Sequence, residues 1–395
     1  MTDRDVPPDD PTTVLPRARE HAGRHEPSSP TTTAENGGST NRRVDPSALP
    51  LASPGRRKRR YGYGKVIGRG GMGEVLLAQD RRIGRSVALK VMLEEAATRA
   101  DAHRRFLREA RVQGQLEHPA IVPVYDLGWD REGRPYFAMK RISGVTLGDV
   151  IRELRKGDPD HENRYSLRRL ISMFQQVCLA IEYAHSRGVV HRDLKPSNLM
   201  LGDFGEVYVL DWGIAKLLDT SEPSTSSLTL PLDTDDATRH DEVLGTIGYM
   251  APEQLTSPTT VDARADVYSL GAVLFHILTL EPLHGYGTAQ ERARSTQLGA
   301  EARPTRRAPD RELPPELDGV CERATALNPN DRYQSARALH DALEAFLEGD
   351  RDTRLRAELA EQHVENARLA AQRMATDGPD ASDQRKRALR EAGRA

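Results

Sequence analysis

Apolar positions along the chain begin to repeat near residue 61, change period twice, and lose their order after residue 347. Tyr63–Gly68, Glu74–Ala78 and Ser86–Met92 are short apolar or alternating runs, which predicts three strands, the first two joined by a glycine-rich turn. Over Ala102–Leu116 the period becomes helical, with Phe106, Leu107, Ala110 and Val112 set among charged positions. Strands return at Ile121–Leu127 and Pro135–Met139, joined through Asp130-Arg131-Glu132-Gly133. From Leu147 the pattern is mostly helical. Leu167–Arg187 predicts a long helix with one apolar face, and Val267–Leu280, interrupted by Ser269, His276 and Thr279, a buried core helix too short to span a bilayer. Leu199-Met200-Leu201 and Val207-Tyr208-Val209-Leu210 are apolar runs around a Gly-Asp-x-Gly turn. Strands first and helices afterwards predict an α+β fold.

The flanks read differently. Residues 1–60 are crowded with Pro, Ser, Thr and charge and lack periodicity, so they cannot bury enough apolar surface to offset their ordering entropy. They end in Arg56-Arg57-Lys58-Arg59-Arg60, read as a solvated linker end in preference to an anionic docking patch. Residues 348–395 form a helical linker or tail: Asp352–Ala375 is rich in Ala, Glu, Arg and Leu, without a sustained heptad. The formal net charge of −2, with 29% charged residues, gives no global field that would draw nucleic acid. The cysteines, Cys178 and Cys321, lie in apolar helical patterns and read as core residues. No secretory signal and no transmembrane segment is legible, which favours a cytoplasmic protein.

Chemistry concentrates in Val190–Gly213. His191-Arg192-Asp193-Leu194-Lys195-Pro196-Ser197-Asn198 sets a carboxylate, an ammonium and an amide oxygen at close spacing, and Asp211-Trp212-Gly213 follows. A base, a counter-charge and oxygen ligands for a hard cation are what phosphoryl transfer needs. Gly68-Arg69-Gly70-Gly71-Met72-Gly73-Glu74-Val75 matches G-x-G-x-x-G-x-V ahead of a strand, where a dinucleotide fold would open a helix. Val87-Ala88-Leu89-Lys90 places a lysine in an otherwise apolar strand. On these motifs the chain resembles the eukaryotic-type (Hanks-type) Ser/Thr protein kinases, and its His118-Pro119-Ala120-Ile121-Val122-Pro123-Val124-Tyr125-Asp126 stretch and compact helical part look most like the bacterial ones.

The resemblance implies a bilobal fold and an ATP-dependent enzyme using Mg²⁺, with Mn²⁺ as an alternative. Its kinase domain would span 61–347, with an N-lobe over about 61–139 and a C-lobe over about 143–347. It implies that Gly68 to Gly73, Val75 and Ala88 enclose ATP, with Met139 as gatekeeper and Lys140 to Ile142 as hinge. Lys90 would contact the α- and β-phosphates and pair with Glu109, in preference to Glu94 or Glu95. Asp193 would be the base and Lys195 a γ-phosphate contact. Asn198 and Asp211 would hold the metal; Asp203-Phe204-Gly205 spells the same metal motif but occupies the turn between the two short strands. Trp212 replaces the usual Phe, which implies altered packing rather than lost metal binding, and Gln113 replaces an apolar residue, hinting at a helix whose inward position is weakly held. Thr246 with Lys195 argues for Ser/Thr acceptors. Glu253 would pair with Arg332, and Asp266 would brace the catalytic loop.

The resemblance further implies protein substrates and autophosphorylation. The loop from Lys216 to Gly245 holds many hydroxyls, and a phosphate there would pair with Arg192. Thr238 is the first choice, with Thr234 and Ser224 to Ser227 as alternatives. A pseudokinase-type nucleotide-binding adaptor is the other reading, favoured only by Trp212 and Gln113. A small-molecule phosphotransferase fits less well, since the docking segment Gly245–Glu253 is complete.

Overall fold

The computed structural model describes residues 60–212, 216–217, 246–257 and 260–376. An antiparallel sheet comes first, formed by β1 (Tyr61–Arg69), β2 (Gly73–Asp80), β3 (Arg85–Met92), β4 (Val124–Trp129) and β5 (Pro135–Lys140), in the order β1-β2-β3-β5-β4. Alternation in β3 sends Val87, Leu89 and Val91 to a face shared with Tyr61, Leu76, Ala78 and Ala138. Met92 and Phe137 lie on the other face. The helices α1 (Glu94–Ala97) and α2 (Ala100–Gly114) pack there through Ala96, Ala102, Phe106 and Ala110.

The rest is largely helical, with β6 (Val145–Thr146), α3 (Leu147–Arg155), α4 (Pro159–Arg164) and α5 (Leu167–Ser186) followed by β7 (Val189–Val190), β8 (Leu199–Leu201), β9 (Val207–Val209) and β10 (Lys216–Leu217). Next come α6 (Pro252–Thr256), α7 (Ala263–Thr279), α8 (Ala289–Leu298), α9 (Pro304–Arg307), α10 (Glu316–Ala324) and α11 (Ala336–Thr376). Helix α7 is apolar nearly all round and lies buried between α5, α10 and α11 in one hydrophobic core. The fold is α+β, a sheet-rich lobe followed by a helical one, as the sequence pattern predicts. Both cysteines are buried, and burial pushes their thiols up, away from reactivity. Among the described residues, no helix is long and apolar enough to cross a membrane.

Three expectations change in detail. The fourth strand begins at Val124 rather than Ile121, because Pro123 has no N–H to give a ladder, and Ile121 instead bridges Val209 of β9. Arg60 is no solvated linker end: its guanidinium grips fully buried Asp80 at 2.8 Å and reaches Asp126 at 2.9 Å, tying β2 to β4. The C-terminal helical pattern is one 41-residue helix running through position 348 without a break. The readings of residues 1–59, of the loop over 218–245 and of 377–395 lie outside the described residues.

Candidate active site

The glycine-rich turn joins β1 to β2, closed by Gly70 N donating to Gly73 O at 2.9 Å. Register then sets Val75 opposite Lys90, and Lys90 opposite Phe137, so the lysine emerges on the α2 side of the sheet. Its Nζ bonds Glu109 Oε1, with the carboxylate 2% exposed and the lysine 15% exposed. Phe106, Glu109, Ala110 and Gln113 repeat at helical spacing on the buried face of α2, which explains why Glu109 points inward while Glu94 and Glu95 of α1 lie exposed. Glu109 Oε2 has no hydrogen-bond partner. Burial pushes this carboxyl up; Lys90 opposes that, and the charge of Asp211 adds to it. Ala88 lies opposite Met139, and Lys140 closes β5 by donating to Tyr208 Oη of β9 at 2.7 Å.

The catalytic-loop residues are assembled between β7 and β8. Asn198 Nδ2 donates to the Asp193 carbonyl at 2.8 Å and to Asp193 Oδ2 at 3.1 Å. Lys195 Nζ lies 3.2 Å from the same oxygen, while buried Asp193 Oδ1 accepts no hydrogen bond. Burial pushes the Asp193 carboxyl up, Lys195 counters it, and Asp211 adds to the rise. Asp211 is thus near enough to act on two carboxylates. The Leu210 N–H, just ahead of Asp211, donates to Asn198 O at 2.8 Å. Arg192 (φ 70°) and Asp211 (φ 61°) both take left-handed backbone, which costs about 1–3 kcal/mol per residue and persists only where surroundings enforce it.

At Arg192 that enforcement comes from Asp266 on α7, which is fully buried. Oδ2 accepts from His191 N at 2.8 Å and contacts His185 Nε2 at 2.7 Å, while Oδ1 accepts from Arg192 N at 2.8 Å. Burial alone would raise this carboxyl, but His185, His191 and the Arg192 N–H together hold it low. Gln254 Nε2 donates to the Arg192 carbonyl at 2.9 Å, a tie that no motif signalled. Trp212 is buried, its ring 4.6 Å from that of His191, in the same core cluster as Val112 of α2.

Asp203 lies elsewhere. It pairs with Arg164 of α4 at 2.8 Å on the surface, beside Phe204, which is 93% exposed. Arg332 binds Glu253 with both terminal nitrogens, at 2.6 and 2.8 Å. Ile142 lies in the loop after β5. Thr238, Thr234 and the Ser224 to Ser227 group lie outside the described residues.

Residues 61–363 match the family model described as protein kinase domain. The serine/threonine-protein kinase PknD of Protochlamydia amoebophila (strain UWE25) is 38% identical over 293 residues, covering 72% of this chain and 30% of that protein. PknD of Chlamydia trachomatis serovar D (strain ATCC VR-885 / DSM 19411 / UW-3/Cx) is 37% identical over 317 residues, covering 76% and 33%. PknD of Chlamydia caviae (strain ATCC VR-813 / DSM 19441 / 03DC25 / GPIC) is 37% identical over 296 residues, covering 73% and 31%. The chain therefore spans about a third of the length of these relatives.

Proposed function

Because the chain belongs to the protein kinase family, we propose that it transfers the γ-phosphate of ATP to serine and threonine hydroxyls of proteins. One observation carries the reading: Lys90 is bonded to buried Glu109, Lys195 and Asn198 both hold Asp193, and the Leu210 N–H that precedes Asp211 bonds Asn198 O. In this reading Lys90 holds the α- and β-phosphates under the glycine-rich turn. Asp193 Oδ1, free of internal hydrogen bonds, takes the acceptor's proton. The hydroxyl oxygen bonds to the γ-phosphorus as the bond to the bridging oxygen breaks, and ADP leaves with that electron pair. Lys195 offsets charge on the moving group.

The family uses ATP with a divalent metal ion, and we assign Mg²⁺, with Mn²⁺ as a substitute. The donor set fits: Asn198 gives its nitrogen to Asp193, which leaves Oδ1 for a cation, and Asp211 stands among carboxylates that repel one another. When bound, the ion neutralises charge on the phosphate oxygens. Asp203, held by Arg164 on the surface, is left out of this set. We place the kinase domain at 61–347, and substrates include the chain itself, with Thr238 as the first acceptor. The test is transfer of labelled γ-phosphate from Mg·ATP onto the purified chain and onto a Ser/Thr protein. ATP binding without any transfer would replace the enzyme with a nucleotide-binding adaptor.

A further inference from the structure

Gln113 lies one turn past Glu109 on the buried face of α2, 3% exposed, and its Nε2 donates to the Val122 carbonyl at 2.7 Å. An amide in this position suggested a weakly held helix; the structure gives it a specific partner instead. Val122 belongs to the stretch between α2 and β4, and that stretch is laced to the helical lobe. Glu117 N donates to Tyr183 Oη at 3.2 Å, and the His118 and Tyr183 rings lie 5.5 Å apart. Ala120 O accepts from Val209 N at 2.8 Å, and Ile121 bridges the same strand. One residue further, Leu210 N bonds Asn198 O, and Asp211 follows.

We propose that Gln113 is a positioning residue: its bond to Val122 registers α2 against the helical lobe, keeping Glu109 on Lys90 in step with Asn198 and Asp211. The inference rests on the kinase reading. An apolar side chain at 113 could slide against its neighbours at little cost, whereas a buried hydrogen bond has a narrow distance optimum. Losing the amide also takes the donor from a carbonyl whose residue is 2% exposed, and a buried acceptor left unpaired is costly. Because a helix is stiff over one turn, displacement at 113 is felt at 109.

The test compares the full chain with Gln113→Leu and Gln113→Glu, measuring kcat, KM for ATP, and equilibrium binding of Mg·ATP from about pH 6 to 9. A protonated glutamic acid donates to Val122 O as the amide does; an ionised one cannot. Burial raises the carboxyl of that variant, so the donor is present at low pH and lost as pH rises. Dividing by wild type leaves the new carboxyl's own effect, and Gln113→Leu, which loses the donor without adding a charge one turn from Glu109, separates the lost bond from that charge. We expect the Gln113→Glu ratio of kcat/KM to fall roughly tenfold across that range, and Gln113→Leu to sit roughly tenfold low throughout, partly through KM for ATP. A flat Gln113→Glu ratio, or wild-type kinetics in Gln113→Leu, overturns the proposal. Should Gln113→Leu not fold, the Gln113→Glu titration decides. A wild type that transfers nothing ends the kinase reading, and the same pH-dependent ratio in ATP binding still judges Gln113.

Discussion

Lys195 Nζ donates to Thr246 Oγ1 at 2.6 Å while lying 3.2 Å from Asp193 Oδ2, so one ammonium joins the Asp193 loop to the segment ahead of Met250-Ala251-Pro252. In the proposed role of base, Asp193 has to be ionised; burial raises its pKa and Lys195 restrains the rise. Activity should therefore fall as pH drops through that pKa. Lys195→Met should move this acid limb of the pH–rate profile to higher pH, besides lowering kcat. Thr246→Val, which keeps the ammonium beside Asp193, should lower transfer roughly tenfold with little movement of the limb. An unmoved limb in Lys195→Met would exclude Asp193 as the titrating base.

The two candidate metal aspartates separate cleanly. Asp193→Asn should reduce phosphate transfer by about 10²–10⁴-fold. Asp211→Asn should abolish metal-dependent transfer and weaken the metal dependence of ATP binding. Asp203→Asn removes an exposed contact to Arg164, so transfer and unfolding midpoint should both match wild type. The readout is labelled phosphate, titrated with Mg²⁺ and with Mn²⁺.

Arg332 spends all five N–H groups on protein oxygens: two on Glu253, and the others on the carbonyls of Arg264, Ala326 and Leu327. It is fully buried against the Tyr268 ring. Arg332→Met leaves Glu253 and those carbonyls without their donor, so stability should fall by about 3–5 kcal/mol in urea denaturation. Arg332→Lys should recover little, since an ammonium cannot reproduce the planar fork.

Two histidines near α7 make the fold acid-sensitive. Burial lowers His276 and His284 to about 4, and both rings are engaged: Tyr249 Oη meets His276 at 2.6 Å and Tyr268 Oη meets His284 at 2.7 Å. Unfolded, each would take up a proton near pH 6.5, so the unfolded state binds more protons between there and about 4. Stability should thus fall with decreasing pH in that window, by up to about 1.4 kcal/mol per pH unit for each ring. Denaturation of wild type and His284→Gln across the window checks this; the variant should show the shallower slope.

Much of the fold was legible because hydrophobic period and turn chemistry are local. β1, β2, β3 and β5 and the long helix α5 fall within a few residues of their predicted spans. Misplacement came where a tertiary partner overrode the local pattern. Ile121 looks like strand but is held by Val209, far along the chain, and Arg60 looks solvated but meets two carboxylates brought from β2 and β4. Gln254 carried no signal, since an amide bonded to a backbone carbonyl imposes no pattern on the sequence.

By itself the sequence determined the motif residues, their order and the class of chemistry, because a base, a lysine and oxygen ligands at fixed spacing are written into one chain segment. It also separated Asp203 from Asp211 as turn and strand end. Only the tertiary structure decided what those residues touch. Glu109 could become the partner of Lys90 only once α2 packed on the sheet; Asp266 could hold His191 and Arg192 only from a helix more than 70 residues away. Gln113 changed meaning altogether, from an oddity in an apolar stripe to a donor for Val122. A hydrogen bond depends on distances between groups that the chain brings together, and residue order alone does not contain those distances.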